Sequence, residues 1–233
     1  MAKKSKKERC LSASLSDIWD MLSDAERKRL LSNTRIVHFK TNETIYFEDD
    51  NPEELMCLFE GKVKISKNGI GGRSQIIRMI RPMQYFGYRA YFAREQYVTS
   101  AVAFEPSIVC MIPIKIIEEL LRKNGDLALY FIHLLSTDLG IADQRVVNLT
   151  QKHVRGRLAE SLLSLKENYG LEEDGATINI YLTREDLANL SNMTTSNAIR
   201  TLSTFVNEQV IAIDGRKIKI IDEPRLRNIS RIG

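Results

Sequence analysis

The chain has 233 residues, 43% hydrophobic and 27% charged, an ordinary composition for a folded protein with enough apolar material for one large domain or two small ones. A formal net charge of +4 permits a nucleic-acid partner without requiring one, so the placement of charge carries that question. No apolar run is long enough for a membrane span, no secretory leader is recognisable, and Cys10, Cys57 and Cys110 lie far apart outside any CxxC pair, which argues against zinc or a disulfide framework and for the cytoplasm.

Residues 1–34 read as a basic tail followed by helices. Lys3, Lys4, Lys6, Lys7 and Arg9 form a solvated end, with Cys10 a tail thiol and the other two cysteines buried hydrophobes. From Ser14 to Ser32 the residues Leu15, Ile18, Trp19, Leu22, Leu30 and Leu31 recur at helical spacing, predicting two short amphipathic helices over one end of the next unit. Residues 35–113 change character. The runs IVHF, TIYF, LMCLFEG, KVKISK, SQIIRMI, VTSAVAF and SIVCMI, separated by Asn42, Asn51-Pro52, Asn68-Gly69 and Gly71-Gly72, predict a sandwich or barrel of short strands. Gly61 stands where a tight turn needs a residue without a β-carbon. The stretch Tyr85 to Ala90 interrupts the strands with Gly87, Tyr88, Arg89 and Ala90, and backbone amides in such a turn can hold a small anion with Arg89 adding charge.

Residues 114–151 carry the longest helical signal, one helix from Glu118 to Leu149. Leu127, Phe131, Leu134, Leu135, Leu139, Ile141, Ala142, Val146 and Leu149 populate more than one face. Such a helix must be covered on two sides, by its own β-domain and by the same helix of a second subunit, which predicts a homodimer. A hinge is expected at Gln151-Lys152-His153. Residues 152–233 then begin with a helix carrying Val154, Leu158, Leu162 and Leu165 on one stripe, a loop from Asn168 to Thr177 and a short strand INIYL.

The most informative stretch follows. Thr183 can cap a helix containing Leu187, Ala188 and Leu190; Asn192 tolerates the left-handed backbone of a sharp turn; Thr194 can cap a second helix. Two helices so joined are a helix-turn-helix, with small Ala188 at the turn and Met193 and Leu202 as apolar contacts. Near its start the second helix offers Thr195, Ser196, Asn197 and Arg200, the last three on one face, as a helix entering the major groove requires. Arg200 can make two hydrogen bonds to guanine, and Ile199 can pack on a thymine methyl or in the core. Asp214-Gly215 signals a two-residue turn, and Arg216, Lys217 and Lys219 load that hairpin with phosphate-binding charge. Double-stranded DNA is therefore the expected partner. A ligand-sensing module acting on another protein is the alternative, though it has no need of an exposed Arg200. An enzyme is disfavoured, since no nucleophile, base and orienting group come together.

Segment order and motifs resemble the Crp/Fnr family of bacterial transcription regulators from about Ile36 to Ile221. The resemblance is carried by the run from Asn148-Leu149 to Val154-Arg155-Gly156-Arg157-Leu158-Ala159, by LTREDLANLSNMTTSNAIRTL and DGRKIKII, and by FEGKVKI with Phe86-Gly87. It implies an α+β protein: an N-terminal cyclic-nucleotide-binding-like β-roll joined by a long dimerisation helix to a C-terminal winged helix-turn-helix. It also implies a homodimer on a palindromic site, modulated by an effector and recruiting RNA polymerase. The effector positions fall on Gly87, Tyr88, Arg89, Ala90, Val98, Thr99, Ala142 and Asp143. Tyr88 replaces the Glu, Val98 and Thr99 the Arg-Ser pair, and Ala142 and Asp143 the base-contacting pair of members that bind cyclic AMP. Cyclic AMP in that mode is therefore not expected, and a small anionic effector stays open. No iron-sulfur cluster is expected from Cys10 alone, nor haem from His38, His133 or His153. Ser196 stands where the family usually has Glu, four residues before Arg200, which predicts a related but different half-site.

Overall fold

The protein is described by a computed structural model over residues 6–69 and 74–232; the tail before Lys6 and the Gly71-Gly72 turn lie outside the described residues. Helix α1 (Lys6–Ser14) starts inside the stretch expected to be tail, and α2 (Ser16–Trp19) and α3 (Asp24–Asn33) follow it. A reciprocal cap starts α3: Ser23 Oγ accepts from the Glu26 amide at 3.4 Å while Glu26 accepts from the Ser23 amide at 2.8 Å. Cys10 is accordingly no tail thiol. It is buried with its Sγ 3.2 Å from that of Cys110, and Cys57 donates to the Ser14 carbonyl at 3.0 Å. Burial pushes the Cys57 thiol well above its ordinary range, so it behaves as a packed apolar group.

The predicted strand runs are β1 (Arg35–Phe39), β2 (Thr44–Tyr46), β3 (Glu54–Glu60), β4 (Val63–Asn68), β5 (Ser74–Ile80), β7 (Ser100–Ala103) and β8 (Ser107–Pro113), with the short β6 (Tyr85–Phe86) unforeseen between them. They form two four-stranded sheets, ordered β1-β8-β3-β6 and β2-β7-β4-β5. Alternation explains how one strand serves two cores. On β3, Met56 and Leu58 join Val63, Ile65, Phe86, Val109 and Met111 in the interior, while Leu55 and Cys57 turn to the other face with Cys110 and Ile112. That second face is covered by Leu11, Leu15, Ile18 and Leu30 and by helices that follow the strands. Each fully buried aliphatic side chain contributes about 1.5–3 kcal/mol.

Gly61 adopts φ +92°, and a β-carbon there would lie 2.4 Å from Ser107 Oγ and 2.5 Å from the Pro106 carbonyl oxygen. Gly61→Ala combines strained backbone with overlap against backbone atoms and is expected to cost about 2–4 kcal/mol, read as a lower urea midpoint.

Beyond the strands the expected single helix is two, α5 (Ile114–Lys123) and α6 (Gly125–Gln151). The break is Asn124, extended at φ −119° and ψ 99°, whose Oδ1 accepts from the Leu127 amide at 3.0 Å and caps α6. Helix α7 (Val154–Tyr169) starts after a second break, with His153 at its N-cap. Then come α8 (Arg184–Leu190), α9 (Thr195–Asn207), the hairpin β9 (Ile211–Asp214) and β10 (Lys217–Ile220), and α10 (Glu223–Ile232), which packs on α7. The chain divides into two compact units, one of residues up to 68 with 77–139, the other of residues 69–76 with those from 140 onward.

Candidate nucleic-acid interface

Local chemistry positions the helix pair. Thr183 Oγ1 accepts from the Asp186 amide at 3.0 Å and donates to Asp186 Oδ2 at 2.7 Å, closing the start of α8. Asn192 takes the left-handed backbone at φ 50°, and the Met193 amide reaches back to the Ala188 carbonyl at 3.0 Å. Thr194 Oγ1 accepts from the Asn197 amide at 3.2 Å and caps α9. Leu187, Ala188, Met193, Ala198, Leu202 and Phe205 are buried and hold the two helices together.

Sequence reasoning missed the residue that fixes this turn. Arg157 on α7 donates through Nε to the Ser191 carbonyl at 3.1 Å, through Nη2 to the Asn192 carbonyl at 3.1 Å and through Nη1 to the Lys152 carbonyl at 2.9 Å. Its only signal was membership of the VRGRLA run. Arg157→Met keeps much of the apolar stem but leaves carbonyls without their donor, with an expected loss of about 1–3 kcal/mol in thermal or urea unfolding. At the other end of α9, Arg155 grips Glu208 through two bonds of 2.7 and 2.5 Å and stacks 5.2 Å from the Phe205 ring centre, while Arg225 reaches the same carboxylate at 3.0 Å. The Arg155 hydrogen bonds, reinforced by Arg225, hold the Glu208 carboxyl below its usual range.

The face left bare matches the expected one. Thr194, Thr195, Ser196, Ile199 and Arg200 are exposed, and Asn197 is half-buried. Ile199 is 47% exposed, so of its two readings the core contact is excluded. Among the described residues no carboxylate pairs with Arg200.

The hairpin departs from expectation twice. Asp214 pairs with Lys217 in the ladder, so the two-residue turn is Gly215-Arg216 rather than Asp214-Gly215, with Gly215 at φ 56°. Arg216 thus stands exposed at the tip, and Arg184 Nη2 donates to the Gly215 carbonyl at 2.9 Å. Lys217 and Lys219, by contrast, are ion-paired to Glu172 at 3.1 Å and Asp174 at 3.3 Å. Nor is INIYL a strand of its own: Thr177 and Ile178 form only isolated bridges, to Lys219 and Leu171, and Ile178, Ile180 and Leu182 are buried.

The residues suggested for an anion do not frame an open cradle. Gly87, at φ 85°, begins a short helix, α4 (Tyr88–Ala93), in place of the expected turn. Tyr88 and Ala90 are 2% exposed, the Tyr88 ring lying 5.6 Å edge-on to Phe131. Arg89 lies on the surface, paired to Glu95 at 2.6 Å. The interior near Gly87 is filled by Met56 and by Tyr97, which stacks on Tyr46 at 3.8 Å. Val98 is exposed and Thr99 half-buried. Ala142 and Asp143 are exposed on α6. A cleft of about 720 Å³ lies elsewhere on this unit, among Pro52, Tyr91, Phe92, Arg94 and Arg122.

On α6, Leu127 and Phe131 are buried, while Leu129, Ile132, Leu139 and Val146 are 64%, 58%, 63% and 61% exposed. Among the described residues no helix is long and apolar enough to cross a membrane, and no group of His, Cys, Asp or Glu is placed to hold a metal ion.

Two domain families match. Residues 36–124 fit the cyclic nucleotide-binding domain and residues 156–229 the Crp-like helix-turn-helix domain. The chain is 28% identical over 201 residues to the anaerobic regulatory protein of Bacillus subtilis, covering 85% of this chain and 81% of that one. To the global nitrogen regulator of Nostoc sp. it is 26% identical over 185 residues, covering 78% and 83%. Among solved structures, FixK2 from Bradyrhizobium japonicum superposes with a TM-score of 0.77 at 21% identity, over 84% of this chain and 96% of that one. With both domains present in this order and regulators of one kind along most of its length, the chain belongs to the Crp/Fnr family of transcription regulators.

Proposed function

We propose that the chain acts in the cytoplasm as a homodimer that reads a palindromic duplex site. Residues 35–113 form the sensor, 114–151 the helical dimer segment and 152–233 the reading head. The observation that carries this is the α9 face, where a capped helix start leaves Thr195, Ser196, Ile199 and Arg200 bare, with Arg216 exposed on the hairpin of the same unit. Arg200 reads guanine, Ser196 and Asn197 make shorter polar contacts, and Ile199 meets a thymine methyl. Thr194 and Thr195 lie at the start of α9, where hydroxyls and amides meet phosphate, and Arg216 does the same from the hairpin; Thr183 is left out because its one hydroxyl proton already goes to Asp186. Lys217 drops out of that set because a carboxylate already holds it.

Regulation runs through α6. On the β-roll side Arg78 of β5 is bonded to Asp138 of α6 at 2.7 Å, and Tyr88 packs on Phe131, so movement in the roll is felt by the helix. Because Tyr46, Tyr88 and Tyr97 fill the place expected for an anion, protein abundance or a protein partner, RNA polymerase among them, is favoured over a small anion bound there. Binding-site selection from random duplex tests the reading. A two-fold symmetric site with half-sites one helical turn apart supports it, and selection of no sequence overturns it in favour of a module that acts on a protein partner.

A further inference from the structure

The acidic loop between α7 and α8 belongs structurally to the hairpin. The Ile178 amide bonds the Ile218 carbonyl at 2.9 Å and the Ile220 amide bonds the Ala176 carbonyl at 3.0 Å, so the loop is sewn along the outer edge of β10. Two of its carboxylates are fixed in turn. Asp174 Oδ1 accepts from the Ala176 and Thr177 amides at 3.0 and 2.8 Å and Oδ2 from the Thr177 hydroxyl at 2.8 Å. Those bonds hold the Asp174 carboxyl far below the ordinary range. Glu172 accepts from the Tyr181 phenol, and the Tyr181 ring lies 5.2 Å from the Lys217 ammonium. Lys217 therefore sits between a carboxylate and an aromatic face, and Lys219 beside a second carboxylate.

An ordinary surface ion pair contributes little because both side chains must be ordered to make it. Here the carboxylates are already ordered by the loop's own hydrogen bonds, and the loop travels with the hairpin. We propose that Glu172 and Asp174 are internal counter-ions of the hairpin, occupying Lys217 and Lys219 so that Arg216 alone is free there to grip the DNA backbone. The inference rests on the DNA-binding reading above and adds a determinant of affinity to it. Each lysine held this way withholds one phosphate contact and the counterion release that goes with it, lowering grip on duplex of any sequence. Base reading by α9 then makes up a larger share of binding, which favours selectivity.

The test measures affinity of the full chain for a mixed-sequence duplex across a range of salt. Glu172→Gln keeps the side-chain shape and frees Lys217, so affinity is expected to rise roughly five- to tenfold near 0.1 M salt, with a slope steeper by about 0.9. Lys217→Gln in the natural background is expected to change affinity by less than about twofold, and in the Glu172→Gln background to abolish the gain. Asp174→Asn, whose one amide oxygen can still accept from both loop amides while an NH2 replaces the oxygen facing Lys219, gives the parallel result for Lys219. An unchanged slope in a folded Glu172→Gln chain overturns the proposal, as does a shallower slope on Lys217→Gln alone, because Lys217 would then already touch phosphate. If the natural chain binds no duplex of any sequence, the regulator reading itself has failed, a result distinct from binding with an unaltered slope.

Discussion

Arg200→Ala is expected to weaken binding to a selected site by about 10- to 100-fold, the 1–3 kcal/mol that a bidentate guanine contact contributes to discrimination. Mixed-sequence duplex should lose no more than the share of one cation. The geometry supports so large an effect. The side chain is exposed one turn into a helix capped by Thr194, no carboxylate among the described residues competes for it, and the helix is held from behind by Arg157 and from its far end by Arg155. A base reader needs this kind of support, since a loose guanidinium forfeits in ordering what it gains in hydrogen bonds. Competition assays with selected and random fragments read the outcome; equal loss on both would remove Arg200 from the base-reading set. Ser196→Glu supplies the complementary result. A carboxylate four residues before Arg200 can accept from a cytosine amino group, so the selected half-site should shift toward one containing that base.

How much of this was legible in the sequence differs by element. Caps and turns were readable because their chemistry is local: Thr183, Asn192 and Thr194 each act within three or four residues of themselves. Strand runs were readable because alternation is local too. Contacts across the chain were not. Arg157 reaches a turn about thirty-five residues away, and Glu172 meets Lys217 forty-five residues later, so no window reveals either pairing. The sequence therefore shows Lys217 as phosphate-binding charge with its ion pair to Glu172 out of view. Asn124 was invisible for another reason, because helical periodicity continues through it and only the backbone shows the break. The turn at Gly215-Arg216 was misplaced by one residue, since Asp-Gly is favoured as a turn pair but Asp214 is spent on the ladder with Lys217. Arg89 is a similar case: a basic residue beside a glycine suggests an anion, and the surface ion pair it makes with Glu95 is not part of that local pattern.

The other large effect lies on α6. Ile132, Leu139 and Val146 recur at intervals of seven, Leu129 stands three residues before Ile132, and all four are more than half exposed, while Leu127 and Phe131 on the opposite side are buried in the β-roll's outer core. Ser136 and Gly140 are small and exposed beside the stripe, and a β-carbon on Gly140 would meet nothing within 4 Å, so a second helix can approach closely. The proposed two-fold pairing would cover this stripe on both copies, each side chain removed from water contributing on the order of 1 kcal/mol or more against the cost of association. Ile132→Asp with Leu139→Asp places two charges per chain in that seam. The doubly substituted chain is expected to keep its helical circular dichroism, to sediment as a monomer, and to lose roughly 10²- to 10⁴-fold in affinity for a palindromic site, because the second head no longer binds as part of the same molecule. Its affinity for a single half-site should hold. A natural chain that sediments as a monomer yet binds one half-site as tightly as two would show that the stripe serves some other partner; a dimer that survives both aspartates would place the interface elsewhere on the chain.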